Sequence, residues 1–289
     1  MKTNAIVRIV LYTAAIIILM GILTTALMDH QYTYDPRFDY GHEIIPTEPV
    51  QQITTENVTA DIRNIEIEWV AGIITLQADQ NATYISIIEH SSSNSEHKMV
   101  CKQSGQTLKI QFSEESFEFP SFGVNTDIRK DLVITIPADW ECNSLEIDAA
   151  AAQVILNGPS IHEFDFDSAS GSCSMINCDI TNIDIDTASG DIDFSGTLDT
   201  LDCDAASANC SIEVFNIPSS IEMDSMSGDL ELILPPDAGF TCSLDAMSGS
   251  FDSDFEFGTI GETYIHGDGN CKINVSALSG DVSILKGIE

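Results

Sequence analysis

The sequence predicts an all-β fold, a parallel β-solenoid with coils of about 20 residues, preceded by one transmembrane α-helix. Three observations predict it. A Ser-Gly motif recurs at a nearly constant interval, apolar residues alternate with polar ones on both sides of each copy, and a charge-free apolar run stands near the start of the chain.

The repeat is read first. "SASGSCSM" begins at Ser168, "TASGDIDF" at Thr187, "AASANCSI" at Ala205, "SMSGDLEL" at Ser225, "AMSGSFDS" at Ala246 and "ALSGDVSI" at Ala277, with a worn copy, "AAAAQVIL", at Ala149. Counted from the Ser of each Ser-Gly pair (Ala151, Ser170, Ser189, Ser207, Ser227, Ser248, Ser279), the steps are 19, 19, 18, 20, 21 and 31 residues. The last step contains an insertion from about Phe255 to Gly269. The positions six and four before this residue, and three and five after it, are apolar in 27 of 28 cases, Ser253 being the exception. That is period-2 alternation on two short strands per repeat, with the Ser-Gly pair as the corner between them. Glycine permits the bend, although Ala152 and Ala208 stand there in two copies. Ile161, Ile180, Leu198, Ile217 and Phe240 suggest a further side to each coil. Hairpins in a sandwich are the structural alternative, but they would reverse direction at every turn, and a unidirectional repeat fits stacked coils better.

Upstream, "IRNIEIEWVAGIITLQA" and "DLVITIPADWECNSLEI" alternate in the same way, with Gly72 as a candidate corner; "YISIIEH" and "TLKIQF" add two strands. The expected organisation is therefore a cytoplasmic tip and transmembrane signal anchor over residues 1–28, an extracytoplasmic linker over 29–55, irregular β coils or a cap over 56–142, and regular acidic repeats over 143–289. A cap suits this architecture, because an open solenoid end leaves strand edges unpaired.

Residues 9–28 are 20 residues without a charge, long enough to span a bilayer as a helix. Lys2 and Arg8 precede them and Asp29 follows, which places the N-terminus in the cytoplasm and the remainder outside, at the cell membrane. A cleaved signal peptide, with Thr24 and Ala26 as a cleavage site, is the rival reading. The linker carries Pro36, Pro46 and Pro49 and no sustained period.

Charge excludes some functions. The chain has 46 acidic against 11 basic residues, a net charge of -35, and no Lys or Arg between Lys130 and Lys272. Nucleic-acid binding needs clustered positive charge, as does docking on anionic lipid. A hydrophobic content of 43% with strong alternation argues for an ordered body rather than a disordered acidic chain.

The Ser-Gly-Asp copies, "VITIPADW" and "LELILPPDAGFTCSLDAMSGSF" resemble the bacterial putative-adhesin family of domains of unknown function, over residues 56 to 286. The resemblance implies an extracytoplasmic domain behind an N-terminal helix in a cell-envelope protein. It implies surface contact as the role, with a cell-surface or envelope protein or a glycan as partner, and supplies no functional residue.

The sharpest chemical feature is a column of carboxylates three before the corner: Asp148, Asp167, Asp186, Asp204, Asp224 and Asp245, followed by Ser276. Glu146, Asp165, Asp184, Asp202 and Glu222 form a second column. Stacked at about 4.8 Å, neighbouring carboxylates would repel by about 1 kcal/mol in bulk water and 3 to 4 kcal/mol at a surface dielectric near 20. Solvation, raised pKa values or bound cations must moderate this. Calcium is the natural cation, yet neither an EF-hand nor a glycine-rich calcium roll is present. Solvated outward carboxylates are thus the first reading of the Asp column, weak, delocalised divalent binding the second and a dedicated high-affinity site the third, and no cofactor is expected.

No nucleophile elbow, zinc-binding helix or P-loop occurs, and the expectation is no enzyme. A glycan lyase or hydrolase on a β-helix is the catalytic alternative, but a lyase acting on acidic sugar would need a basic residue that the repeats lack. An envelope sensor or regulatory accessory protein is the second non-catalytic alternative. Cys173, Cys203, Cys210 and Cys242 fall on inward positions and read as small core hydrophobes. Cys173 and Cys210 share a column two coils apart, beyond disulfide reach. Cys101, Cys142, Cys178 and Cys271 are not placed by the repeat. His90 and His97 flank a polar loop. "EESFEFPSFG" reads as a loop packed on a coil or as a partner-binding patch.

Overall fold

The structure is a computed structural model that describes residues 49–54, 62–91, 98–113, 129–261 and 263–287. The N-terminal apolar segment, His97 and the stretch "EESFEFPSFG" lie outside the described residues. Among the described residues all regular structure is β, and no helix is long and apolar enough to cross a membrane.

The regular coils are built as the alternation dictates. Strand β7 (Glu141–Asn157) pairs in parallel with β8 (Ser160–Ser168) through its first half and with β9 (Cys173–Ser189) through its second. The second half of β9 and β10 (Ile192–Thr197) form the next coil, followed by β11 (Thr200–Ser207) with β12 (Cys210–Val214) and β13 (Ser220–Ser227) with β14 (Leu230–Leu234). Every pairing along this run is parallel. Of the inward positions defined by the repeat, all are buried except Leu244, Phe251 and Ser253. Those three belong to one coil, which ends the stack.

The further side of the coil differs from expectation at one point. Ile161, Ile180 and Leu198 are buried, but Ile217 is 42% exposed. Pro218, one residue on, takes the buried place. The turn there is two residues longer than in the preceding coil, five residues between Val214 and Ser220 against three between Gly196 and Thr200, which shifts the apolar site off the isoleucine.

Strand β2 (Asn64–Asp79) is a full coil in register with β7, Gly72 facing Ala152 at the corner. Its outer side pairs in parallel with β5 (Thr107–Gln111) and β6 (Lys130–Pro137), which together supply one more coil. Hairpins close this end: β4 (Val100–Ser104) lies antiparallel to β5, β3 (Ser86–Ser91) antiparallel to β6, and β1 (Pro49–Thr54) antiparallel to β3. Under them Trp69 meets Phe112 edge-to-face at 5.1 Å and donates its indole N–H to the Lys130 carbonyl at 2.9 Å. The Lys130 ammonium is buried against Glu89 at 3.0 Å, over the Phe112 ring, and Glu89 also accepts the Met99 amide at 2.8 Å. Burial pushes the Lys130 ammonium down, and the Glu89 carboxylate counters it.

The other end breaks chain order. Strands β19 (Cys271–Ser279) and β20 (Val282–Lys286) pair on one side with β13 and β14 and on the other with β15 (Phe240–Ser248) and β16 (Phe251–Ser253). The last coil of the chain is thus intercalated, and residues 240–253 form the outermost coil. The insertion folds over that coil as the hairpin β17 (Gly258–Ile260) and β18 (Thr263–His266), with β18 antiparallel to β15. Tyr264 stacks on Phe251 at 4.0 Å, and Phe255 meets Phe240 at 5.4 Å, so rings cover the apolar end. At both ends the outermost coil is covered by a hairpin, as protection of open strand edges requires.

Candidate functional site

The predicted Asp column exists, in a different order. Asp148 faces Asp167, Asp167 faces Asp186, Asp186 faces Asp204 and Asp204 faces Asp224. Ser276 then stands between Asp224 and Asp245, not after Asp245, because its coil is intercalated. Glu68 extends the column at the other end, facing Asp148. The second column runs Lys109, Glu66, Glu146, Asp165, Asp184, Asp202, Glu222, Asn274 and Ser243.

The two columns make one acidic face, closed by the Lys109 ammonium at one end and interrupted by neutral side chains at the other. At one end Lys109 reaches Glu68 at 2.5 Å and Glu66 at 3.7 Å, and the hydrogen bond from Lys109 holds the Glu68 carboxyl below its usual range. At the other end the intercalated coil brings Lys272, Asn274 and Ser276 next to Ser220, Glu222 and Asp224. Between them, among the described residues, no ion pair reaches the carboxylates from Glu146 to Asp224. Partial burial, and then neighbouring carboxylates, push Asp167 and Asp202 up to about 6 and Asp204 up to about 7. Asp148, Asp165 and Asp186 are raised from the same first cause, with adjacent acids adding to it. A face of this kind attracts cations and cationic partners over a Debye length, about 8 Å at physiological salt. Among the described residues no three acidic, His or Cys side chains converge as metal ligands do.

A second set of aspartates has a different task, which the repeat alone does not reveal. Two residues after the corner, the side chains of several coils bond the neighbouring coil. Asp191 accepts the Asn209 side-chain amide at 3.2 Å, Asn209 accepts the Asp229 N–H at 3.2 Å, and Asp229 accepts the Asp281 N–H at 2.8 Å. Asp281 in turn accepts the Ser250 N–H at 2.7 Å, and at the far end Asp131 accepts the Ile73 N–H at 2.9 Å. Apart from Asp191, which accepts from a side-chain amide, these side chains satisfy backbone donors at corners where the strand ladder is interrupted. The Asp of Ser-Gly-Asp is therefore structural, unlike the carboxylates of the two columns before the corner. Asp191, Asp193, Asn209, Ser211, Asp229 and Glu231 also line an open groove beside that ladder.

The cysteines are buried apart from Cys101, which is partly so, and none is in a disulfide. Cys142, Cys178 and Cys271, unplaced by the repeat, are core residues too. Cys203 and Cys210, read separately as core hydrophobes, touch within one coil, Sγ to Sγ at 3.9 Å. His90 lies on β3 opposite Asp131.

Solved structures with a similar course of the chain include one described as a putative adhesin from Bacteroides fragilis. It is 12% identical, with 81% of this chain and 97% of that one covered and a TM-score of 0.47. Another, a putative cell adhesion protein from Clostridium sporogenes, is 10% identical, with 82% and 98% covered and a TM-score of 0.38. No curated protein matches the chain. The model of the family described as Toastrack DUF4097 matches residues 62–285, which is most of the sequence, and the chain belongs to that family.

Proposed function

We propose that the protein is a non-catalytic, adhesin-type interaction module of the cell envelope, held at the membrane by residues 9–28 with its N-terminus in the cytoplasm and the solenoid outside. Its partner is a cell-surface or envelope protein or a glycan, engaged through the acidic face. The observation that carries the reading is the pair of carboxylate columns, in register across five consecutive coils from β7 to β13 with no Lys or Arg between Lys130 and Lys272. Such a face repeats one chemical pattern at strand spacing, which suits multivalent contact better than turnover of one bond.

Cation binding belongs to the same reading. Hard divalent cations such as calcium collect weakly along Asp148, Asp167, Asp186, Asp204, Asp224 and Asp245, without a chelating site. The melting temperature then rises more in millimolar calcium than in sodium chloride of equal ionic strength. Equal shifts would reduce the effect to screening. The placement is tested by adding protease to intact cells that make the full chain. The solenoid is expected to be cleaved from outside before lysis, and protection until lysis would overturn the topology.

A further inference from the structure

Coil β11–β12 differs from all the others at its centre. The position four before the corner and the position three after it are Ile147 and Val154, Phe166 and Cys173, Ile185 and Ile192, Met223 and Leu230, Leu244 and Phe251, or Val275 and Val282 elsewhere. Here alone both are cysteine. Cys203 and Cys210 are 1% and 3% exposed, and their sulfurs touch at 3.9 Å inside the coil. The other inward cysteine of the same column, Cys173, is separated from Cys210 by Ile192.

We propose that Cys203 and Cys210 are an intra-coil redox pair whose oxidised form is a disulfide stapling the corner of coil β11–β12. A disulfide needs sulfurs about 2.05 Å apart, so the pair must close by about 2 Å, within the reach of side-chain rotation on two strands already facing each other. The bridge spans Asp204 to Asn209 and so encloses Ala208, which stands in the glycine position, and Asn209, a rung of the corner ladder.

The oxidant is a small-molecule or protein disulfide. One cysteine thiolate attacks it, displacing one thiol and forming a mixed disulfide, and the second cysteine then displaces the other thiol. Cys203 and Cys210 lose two electrons and two protons, and the oxidant leaves as two thiols. The native coil resists this step, because no oxidant reaches sulfurs so buried, and the hydrogen bond with Cys210 together with burial holds the Cys203 thiol well above its usual range. The bond therefore forms while the coil is open, during folding, and stays shielded once the coil closes.

The test unfolds the full chain in denaturant with detergent and refolds it in a mixture of oxidised and reduced glutathione. Thiols are counted and cross-links mapped by mass spectrometry. The expected result is a loss of two of the eight thiols, a peptide linking Cys203 to Cys210 that is about 2 Da lighter than its reduced form, and a melting temperature several degrees above that of the reduced protein. Eight free thiols after refolding, a link mapped to another pair such as Cys242–Cys271, or a melting temperature lowered by the bond would each overturn the proposal. Because the map is made on the natural sequence, it does not depend on whether a Cys203→Ser variant folds.

Discussion

Asp281 holds two neighbouring coils by one carboxylate and its own amide. Its N–H donates to Asp229, and its side chain accepts both the N–H and the hydroxyl of Ser250. These bonds hold its carboxyl below the usual range. Asp281→Ala is expected to lower the melting temperature by a few degrees, whereas Asp281→Asn, which keeps an acceptor, recovers most of the loss. Equal loss in both variants would mean that charge rather than hydrogen bonding is at work. The role of this residue was hidden in the sequence, where the Asp after Ser-Gly looks like every other outward acid. The glycine before it was legible only as a permissive bend. At Gly190, with φ 148, an added Cβ would lie 1.8 Å from the Gly171 carbonyl of the next coil, and at Gly228, with φ 154, 1.7 Å from that of Ala208. Close approach of a neighbouring backbone, as much as the bend, therefore fixes the residue, and a neighbour across coils is invisible to a single-chain pattern.

Among the elements, the alternation identified the strands of the repeats and the Gly72 corner, because a buried inner face leaves a period-2 signature whatever the stacking order. The order itself was not legible. A coil reads the same in any slot, and the only traces of intercalation were the 31-residue step and the neutral Asn274 and Ser276 in otherwise acidic columns. The consequence is mechanical. In a stack that followed chain order, removing the last coil would shorten it by one. Here, ending the chain after Gly269 removes β19 and β20 and leaves β13, β14, β15 and β16 with unpaired edges at once. In that truncated chain, amide hydrogens of residues 240–266 are expected to exchange at least 100-fold faster, while those of β7 to β11 stay protected. Protection of residues 240–266 in the truncated chain would contradict the intercalated order. The cap at the other end depends on the buried Glu89–Lys130 pair, which no spacing rule could have found because its partners sit on separate strands, β3 and β6.

For the molecule as a whole, the acidic face sets the response to pH. Asp167 and Asp202 are raised to about 6 and Asp204 to about 7, above an unfolded value near 4. The folded chain thus binds more protons than the unfolded one between about pH 4 and 7, and stability rises as pH falls through that window. Glu68 and Asp281, lowered by their partners, act in the opposite sense and lose their contribution below about pH 4. The melting temperature should accordingly be higher at pH 5 than at pH 8 at equal salt, and 1 M sodium chloride should narrow the difference by screening. A higher melting temperature at pH 8 would show that burial and neighbouring acids do not raise these carboxyls in the folded chain. That the face exists was legible in the sequence; its closure by Lys109 was not, since Lys109 is about 40 residues from Glu66 and Glu68 in the chain, with which it pairs. The most direct test of the account is binding of the full chain to isolated cell-envelope material, compared with an Asp165→Asn, Asp184→Asn, Asp202→Asn variant. The variant is expected to fold with an equal or higher melting temperature and to bind at least tenfold more weakly. Undiminished binding by the folded variant would contradict the acidic face as the surface of interaction.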